Sequence, residues 1–224
     1  PTKLATFTSE CVRLIETYNL DGIDIDWEYP GYAGHNGTPA DKQNFTIFLQ
    51  AIRTALDDYG ASVGKEMLLT AAVGAAPSHA ANVEWDSVKN LLDMINLMSY
   101  DFFGSWDAVS NHNAALHPPA VGDSDFCVSS SFDLFTQTDN VAPDKLNLGI
   151  AFYGRSLTGC TALHGTHSGG VDAATFADDE GMPMYYNILQ KMNLFTRYWD
   201  STAEVPYLLG NNMQTFLSYD DEES

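Results

Sequence analysis

The chain has 224 residues, 45% of them apolar or aromatic, and its 30 acids against 10 Lys and Arg give a formal charge of −20. That length supports one large domain with its own core. The charge excludes a nucleic-acid partner and an anionic membrane surface, which both need a basic face, and no apolar run approaches a membrane span.

Residues 7 to 18 carry Phe7, Cys11, Leu14, Ile15 and Tyr18 at helical spacing. Asn19 ends that helix, and DGIDIDWEYP (21–30) follows as a strand. Thr38-Pro39-Ala40-Asp41 reads as a helix start, with Thr38 capping and Asp41 closing the box. Phe45, Phe48, Leu49, Ile52 and Leu56 form its apolar face, and Gly60 stops it. MLLTAAV from Met67 is a strand; Trp85, Val88, Leu91 and Leu92 mark a short helix; MINLMSY from Met94 is a strand. Residues 131–139 give a weaker helix, and LNLGIAFYG from Leu146 a fourth strand.

Near-continuous apolar strands alternating with helices imply a parallel sheet covered by helices. Residues 156–219 change character, rich in Gly, His, Thr and Tyr with one helix near 183–194, and read as an inserted α+β subdomain. The acidic segment 220–224 follows. Cys11, Cys127 and Cys160 show no zinc spacing and no dense disulfide framework; a single Cys127–Cys160 bridge stays open. Asn36-Gly37-Thr38 and Asn44-Phe45-Thr46 have the form of glycosylation sequons. The chain opens inside a helical pattern with no charged-then-apolar leader. Five of the six histidines, His79, His112, His117, His164 and His167, show no metal-ligand spacing and are expected in surface or hydrogen-bonding roles.

In a strand, alternate side chains share a face. Asp24, Asp26 and Glu28 therefore stand together, roughly 6 to 7 Å apart from each to the next, while Ile23, Ile25 and Trp27 face the helices. Neighbouring carboxylates cannot all ionise freely, so at least one pKa should rise. A carboxylic acid still protonated near neutral pH is what a general acid requires. Glu28, the longer acid at the C-terminal end of the strand, is the expected donor, with Asp26 its partner and Asp24 tuning Asp26. Spacing alone also admits a Mg²⁺ or Ca²⁺ site and a purely structural, hydrogen-bonded acid cluster.

DGIDIDWEYP resembles the DxxDxDxE signature of family 18 glycoside hydrolases, the chitinase family, at Asp21, Asp24, Asp26 and Glu28. MSYDFFGSWD is similar to the strand-six motif (Met98, Tyr100, Asp101, Trp106), and AFYGR to that of strand seven (Tyr153, Arg155). WDSTAEVPYLL and FLSYDDEES resemble the end of the family's inserted subdomain. The resemblance implies a (β/α)8 TIM barrel with strands 4 to 7 present over 1–155 and the α+β insertion over 156–219. It implies hydrolysis of β-1,4-linked N-acetylglucosamine by substrate-assisted retaining catalysis. Glu28 would be the acid and base, Asp26 and Asp24 its partners, and Tyr100 a ligand for the acetamido oxygen. Tyr29, Met98, Asp101, Trp106, Tyr153 and Arg155 would bind sugar.

No cofactor or metal is implied; the partners are chitin and chito-oligosaccharides, and an insoluble substrate implies secretion. Alternatives are a chitinase-like sugar-binding protein, against which Glu28 counts, and an endo-β-N-acetylglucosaminidase acting on N-glycans, against which the insertion counts. The barrel's first three strands and its eighth have no counterpart, so the chain is expected to be a fragment of a longer protein. Alone, its open strand edges should favour poor folding or self-association. Nothing in the sequence sets the oligomeric state.

Overall fold

The computed structural model describes residues 2–224, which form two compact units. The first runs to Met98 and resumes at Asp133–Leu148; the second comprises Ser99–Phe132 and Gly149–Ser224.

In the first unit α1 (Thr2–Tyr18), β1 (Gly22–Asp26), α2 (Asp41–Val63), β2 (Leu68–Gly74), α3 (Pro77–Ala80), α4 (Trp85–Leu91), β3 (Met94–Met98) and β4 (Leu146–Leu148) follow in order. The strands make a parallel sheet in the order β1-β2-β3-β4, with Asp24 opposite Thr70 and Asp26 opposite Ala72. Parallel neighbours need crossovers of a dozen or more residues, which helices supply. Alternation buries Ile25, Leu69, Ala71, Val73, Ile95 and Leu97 with Phe45, Leu49, Ile52, Leu56 and Val88 of the helices. Trp27 packs against the same core and meets Phe45 edge-on at 5.7 Å, on the side expected for it.

Several local expectations shift. On α1, Cys11 and Ile15 are buried, whereas Phe7, Leu14 and Tyr18 are exposed. The helix packs on α2 and β1 along a narrower stripe than the sequence suggested. α2 starts at Asp41, after a turn at Pro39 and Ala40, so only half of the capping box forms. The Asp41 carboxylate accepts the Thr38 backbone N–H at 2.7 Å, while the Thr38 side chain caps nothing in the helix backbone. Gly60 does not stop the helix. It lies buried inside α2, which continues to Val63 and ends at Gly64 in the left-handed region (φ 70°). The expected helix over 131–139 is α5 (Val128–Asp133) followed by a π-helical turn at Leu134–Thr138. In that turn the Phe135 ring packs on Trp85 with centroids 4.9 Å apart.

The fourth strand is shorter than LNLGIAFYG suggested. Its ladder with β3 ends at Leu148, and Ile150 and Phe152 are each 71% exposed. An apolar run predicts a strand only as far as a partner continues its ladder.

The second unit is built on an antiparallel sheet of β5 (Arg155–Thr158), β6 (Phe195–Asp200), β7 (Val205–Gly210) and β8 (Thr215–Ser218), in the order β5-β8-β7-β6. α6 (Tyr185–Gln190) is the helix expected near 183–194, and a 3₁₀ turn at Met192–Leu194 follows it. Phe176, Ile188, Phe195, Leu208, Leu217 and Tyr219 form one core. His112 is wholly buried, with Nε2 2.9 Å from the Asp200 carboxylate. Burial pushes its pKa down despite that carboxylate. The cysteines are free, and the bridge left open by the sequence is not formed. Cys127 packs with Ala115, Ala203 and Val205, and Cys160 in a separate cluster with Leu157 and Phe216. Among the described helices none is long and apolar enough to cross a membrane.

Candidate active site

The acids of β1 stand on the sheet face that the helices leave open, so Asp24 and Asp26 are exposed. The acid face of β1 is part of a polar row. Asp24 Oδ1 accepts the Thr70 hydroxyl and the Asn96 amide (2.9 Å), and Asn96 Oδ1 accepts the Asn147 amide at 2.9 Å. One side chain from each of the four parallel strands thus joins a hydrogen-bonded ladder. Thr70, Asn96 and Asn147 went unread in the sequence. Their signal was being the lone polar residue in LLTAAV, MINLM and LNL.

Asp26 lies one step nearer the C-terminal end. Lost solvation raises its pKa, and the charges of Glu28 and Asp24 raise it further. Asp26 therefore holds its proton more strongly than a free carboxyl, with lost solvation the larger cause and the neighbouring acids the smaller. Glu28 lies two residues past the end of β1 rather than in it, is exposed, and joins Tyr29 through a cis peptide. Its backbone oxygen is 2.8 Å from Nδ1 of His35. The Tyr29 ring is half-buried against His79, with centroids 3.8 Å apart. Met98 closes β3, half-buried. Asp21, the first acid of the motif, is remote from this ladder: it precedes β1 and pairs with Lys65 at 2.6 Å, which lowers its pKa.

In the second unit Asp101 occupies the left-handed region (φ 60°), and its backbone N–H donates to Asn113 Oδ1 at 3.1 Å. Its carboxylate gathers two neighbours expected from the sequence. The Tyr153 hydroxyl donates to Oδ1 at 2.5 Å, and Arg155 Nε at 2.7 Å. Burial first, then this hydrogen bond to a charged acceptor, drives the Tyr153 pKa upward. The Arg155 guanidinium lies 4.7 Å from the centre of the Trp106 ring, a cation–π contact on an indole that is 58% exposed. Tyr100, past the end of β3, meets Tyr153 edge-on at 6.1 Å. Gly104 and Asn113 were not singled out from sequence. A Cβ on Gly104 would come within 2.5 Å of the Trp106 ring, so glycine there lets the indole lie against the backbone.

A cleft at the opposite end of the parallel strands is lined by Arg53, Asp57, Lys65, Asp93 and Lys145. Its charges satisfy each other and the backbone: Arg53 pairs with Asp57 at 2.8 Å and Asp93 at 3.0 Å, and Lys145 donates to the Lys89 and Leu92 carbonyls. In parallel βα architectures chemistry sits at the C-terminal ends of the strands, and this end serves stability. Among the described residues no group of three or more His, Cys, Asp or Glu is arranged to hold a metal ion.

The family model described as glycosyl hydrolases family 18 matches residues 1–224. Chitinase A1 of Niallia circulans is 40% identical over 235 residues, covering 97% of this chain and 33% of that protein. The solved structure of chitinase ChiA74 from Bacillus thuringiensis is 36% identical with a TM-score of 0.86, covering 99% of this chain and 39% of that one. An Ostrinia furnacalis Group IV chitinase solved with allosamidin is 29% identical with a TM-score of 0.87, covering 100% of this chain and 61% of that one. The chain thus spans between a third and two thirds of the length of these relatives. Its fold class is the (β/α)8 barrel of those structures, with β1 to β4 as its parallel strands. The acid motif of β1, its parallel sheet and the full-length family match give one conclusion: the chain belongs to glycosyl hydrolases family 18.

Proposed function

We propose that the chain is catalytic sequence of a chitinase, cleaving β-1,4 bonds between N-acetylglucosamine units with retention. The observation that carries this reading is the Asp24–Asp26–Glu28 series, in which Asp24 is anchored, Asp26 has a raised pKa and Glu28 is exposed past the strand end.

In this reading Glu28 protonates the leaving glycosidic oxygen. The substrate's own acetamido oxygen attacks the anomeric carbon, so no enzyme carboxylate is needed as nucleophile. Asp26 accepts the acetamido N–H and offsets the positive charge that develops on the oxazolinium ion. Its proximity to Glu28 and Asp24 suits it to trade proton and hydrogen-bond partners during the cycle. Asp24, held by Thr70 and Asn96, keeps Asp26 in place. Tyr100 holds the acetamido oxygen for attack, and Glu28, now a base, activates the water that opens the ring. Asp101, Tyr153 and Arg155 supply a pre-ordered polar group for sugar hydroxyls. Tyr29, Met98 and Trp106 supply apolar surface for sugar faces.

The presence of Glu28 supports an enzyme over a sugar-binding relative without activity. The antiparallel sheet β5–β8 supports a chitinase over a glycan-core endoglycosidase. Chitinase-named relatives, one of them solved with allosamidin, support the same substrate class. Chitin is insoluble, which favours action outside the cell. The test is incubation with chitotetraose beside a Glu28→Gln variant, with products followed by mass spectrometry. Cleavage to chitobiose by the parent alone is expected; equal cleavage by both would overturn the mechanism.

A further inference from the structure

Ser110, Asn111, His112 and Asn113 are consecutive polar residues, and all of them are buried. Buried polar side chains persist where hydrogen bonds offset their lost solvation. Each of these holds a different segment of the second unit. Ser110 Oγ donates to the Ala162 carbonyl at 2.8 Å, Asn111 Nδ2 donates to the Val121 carbonyl at 2.7 Å, and His112 Nε2 lies 2.9 Å from the Asp200 carboxylate. Asn113 reaches the backbone of Asp101 and Phe102. Its Oδ1 accepts the Asp101 N–H at 3.1 Å, and its carbonyl accepts the Phe102 N–H at 3.0 Å.

The Asn113 N–H in turn donates to Ser218 Oγ at 2.6 Å. Ser218 is buried as well, and it stands opposite Arg155 in the antiparallel ladder of β5 and β8. Arg155 donates Nε and Nη2 to Asp101 Oδ1. Asp101, Arg155, Ser218 and Asn113 therefore close a ring: strand register joins Arg155 to Ser218, and hydrogen bonds make the other links. Asp101 occupies the left-handed region (φ 60°), a conformation that a residue with a Cβ disfavours. The two hydrogen bonds to Asn113, at residues 101 and 102, hold that turn, and the turn sets the direction of the carboxylate. Asn113 is wholly buried and cannot touch a sugar, so any effect it has on the reaction passes through Asp101.

We propose that Asn113, seated by Ser218, is a positioning residue that aims the Asp101 carboxylate, and with it the Arg155 guanidinium, at the substrate. The proposal rests on the Asp101 group binding sugar in the chitinase reading.

The test is a double-mutant cycle on chitotetraose hydrolysis, run at a temperature where circular dichroism shows every variant folded. Asn113→Leu keeps bulk but accepts no hydrogen bond, and Ser218→Ala removes the hydroxyl that seats Asn113. Each should lower kcat/KM roughly tenfold in the parent but less than about twofold in the Asp101→Asn background, where no carboxylate is left to aim. Ser110→Ala cuts the same buried stretch away from the ring; it should lower the melting temperature and leave kcat/KM within about twofold of the parent. Should Asn113→Leu fail to fold, the Ser218→Ala half of the cycle decides. Equal losses in both backgrounds, a loss in Ser110→Ala as large as those in the ring, or parent-like kinetics in Ser218→Ala would each overturn the positioning role alone. A parent that leaves chitotetraose intact overturns the chitinase reading and the positioning role with it.

Discussion

Arg155 grips a single oxygen of Asp101 with two donors, Nε and Nη2, each 2.7 Å from Oδ1. The same guanidinium lies over Trp106, so the carboxylate indirectly sets where the indole can go. Asp101→Asn keeps the shape and tolerates the left-handed backbone, but removes the charge that orders Arg155. We expect kcat/KM on chitotetraose to fall about 10- to 100-fold, the effect of losing a charged hydrogen bond of roughly 1.5 to 3 kcal/mol. Arg155→Lys should behave similarly, because an ammonium lacks the planar fork. Kinetics indistinguishable from the parent would show that this cluster does not support turnover.

Glu28→Gln removes the transferable proton while keeping size, and kcat should drop by about 10² to 10⁴. Asp26→Asn should also lose activity but gain stability. A carboxyl whose folded pKa is raised contributes most at low pH and loses that contribution as pH rises through the folded pKa. The neutral amide avoids the loss, so Asp26→Asn should melt higher than the parent at neutral pH. A lower melting point for this variant would refute the electrostatic description of the series.

Asp220 offers a cleaner test of the same sign. Burial pushes its pKa up to about 6, against the opposing hydrogen bond from Ser224, and among the described residues its Oδ2 has no hydrogen-bond partner. Between its unfolded value near ~3.9 and about 6 the folded state binds more protons, so stability falls as pH rises through that window. Asp220→Asn should stabilise by about 1 to 2 kcal/mol above the window and change little below it. Thermal melts at two pH values decide; equal effects at both would exclude ionisation as the cause.

Gly60 and Gly64 on α2 make an instructive pair. Helix propensity says Gly60→Ala should stabilise by about 1 kcal/mol. Its Cβ would come within 2.4 Å of the Lys65 carbonyl oxygen, a backbone atom that cannot swing aside. We expect a net loss of about 1 to 3 kcal/mol instead. Gly64 has open space around it but a φ of 70°, so Gly64→Ala should cost only about 1 kcal/mol. Urea unfolding of the two variants should rank them in that order.

The strand and helix order of the parallel sheet was legible because its signal is local. Alternation in GIDID and the apolar runs LLTAAV and MINLM state which faces are buried, whatever they pack against. The acid series was legible for the same reason: period-two geometry puts Asp24 and Asp26 on one face without any knowledge of neighbours. Composition and spacing could not say what that face met. Thr70, Asn96 and Asn147 lie 46, 72 and 123 residues from Asp24 (70 − 24, 96 − 24, 147 − 24), and only strand register makes them one ladder. The ends of elements were likewise tertiary decisions. Gly60 reads as a breaker until the Lys65 carbonyl above it is seen, and Ile150 and Phe152 read as strand until the β3–β4 ladder stops at Leu148. Sequence by itself determined which residues of β1 share a face and which faces of its neighbours are buried, because side-chain alternation is a property of the backbone. Tertiary structure alone decided which polar groups meet, because contact depends on register across strands distant in the chain.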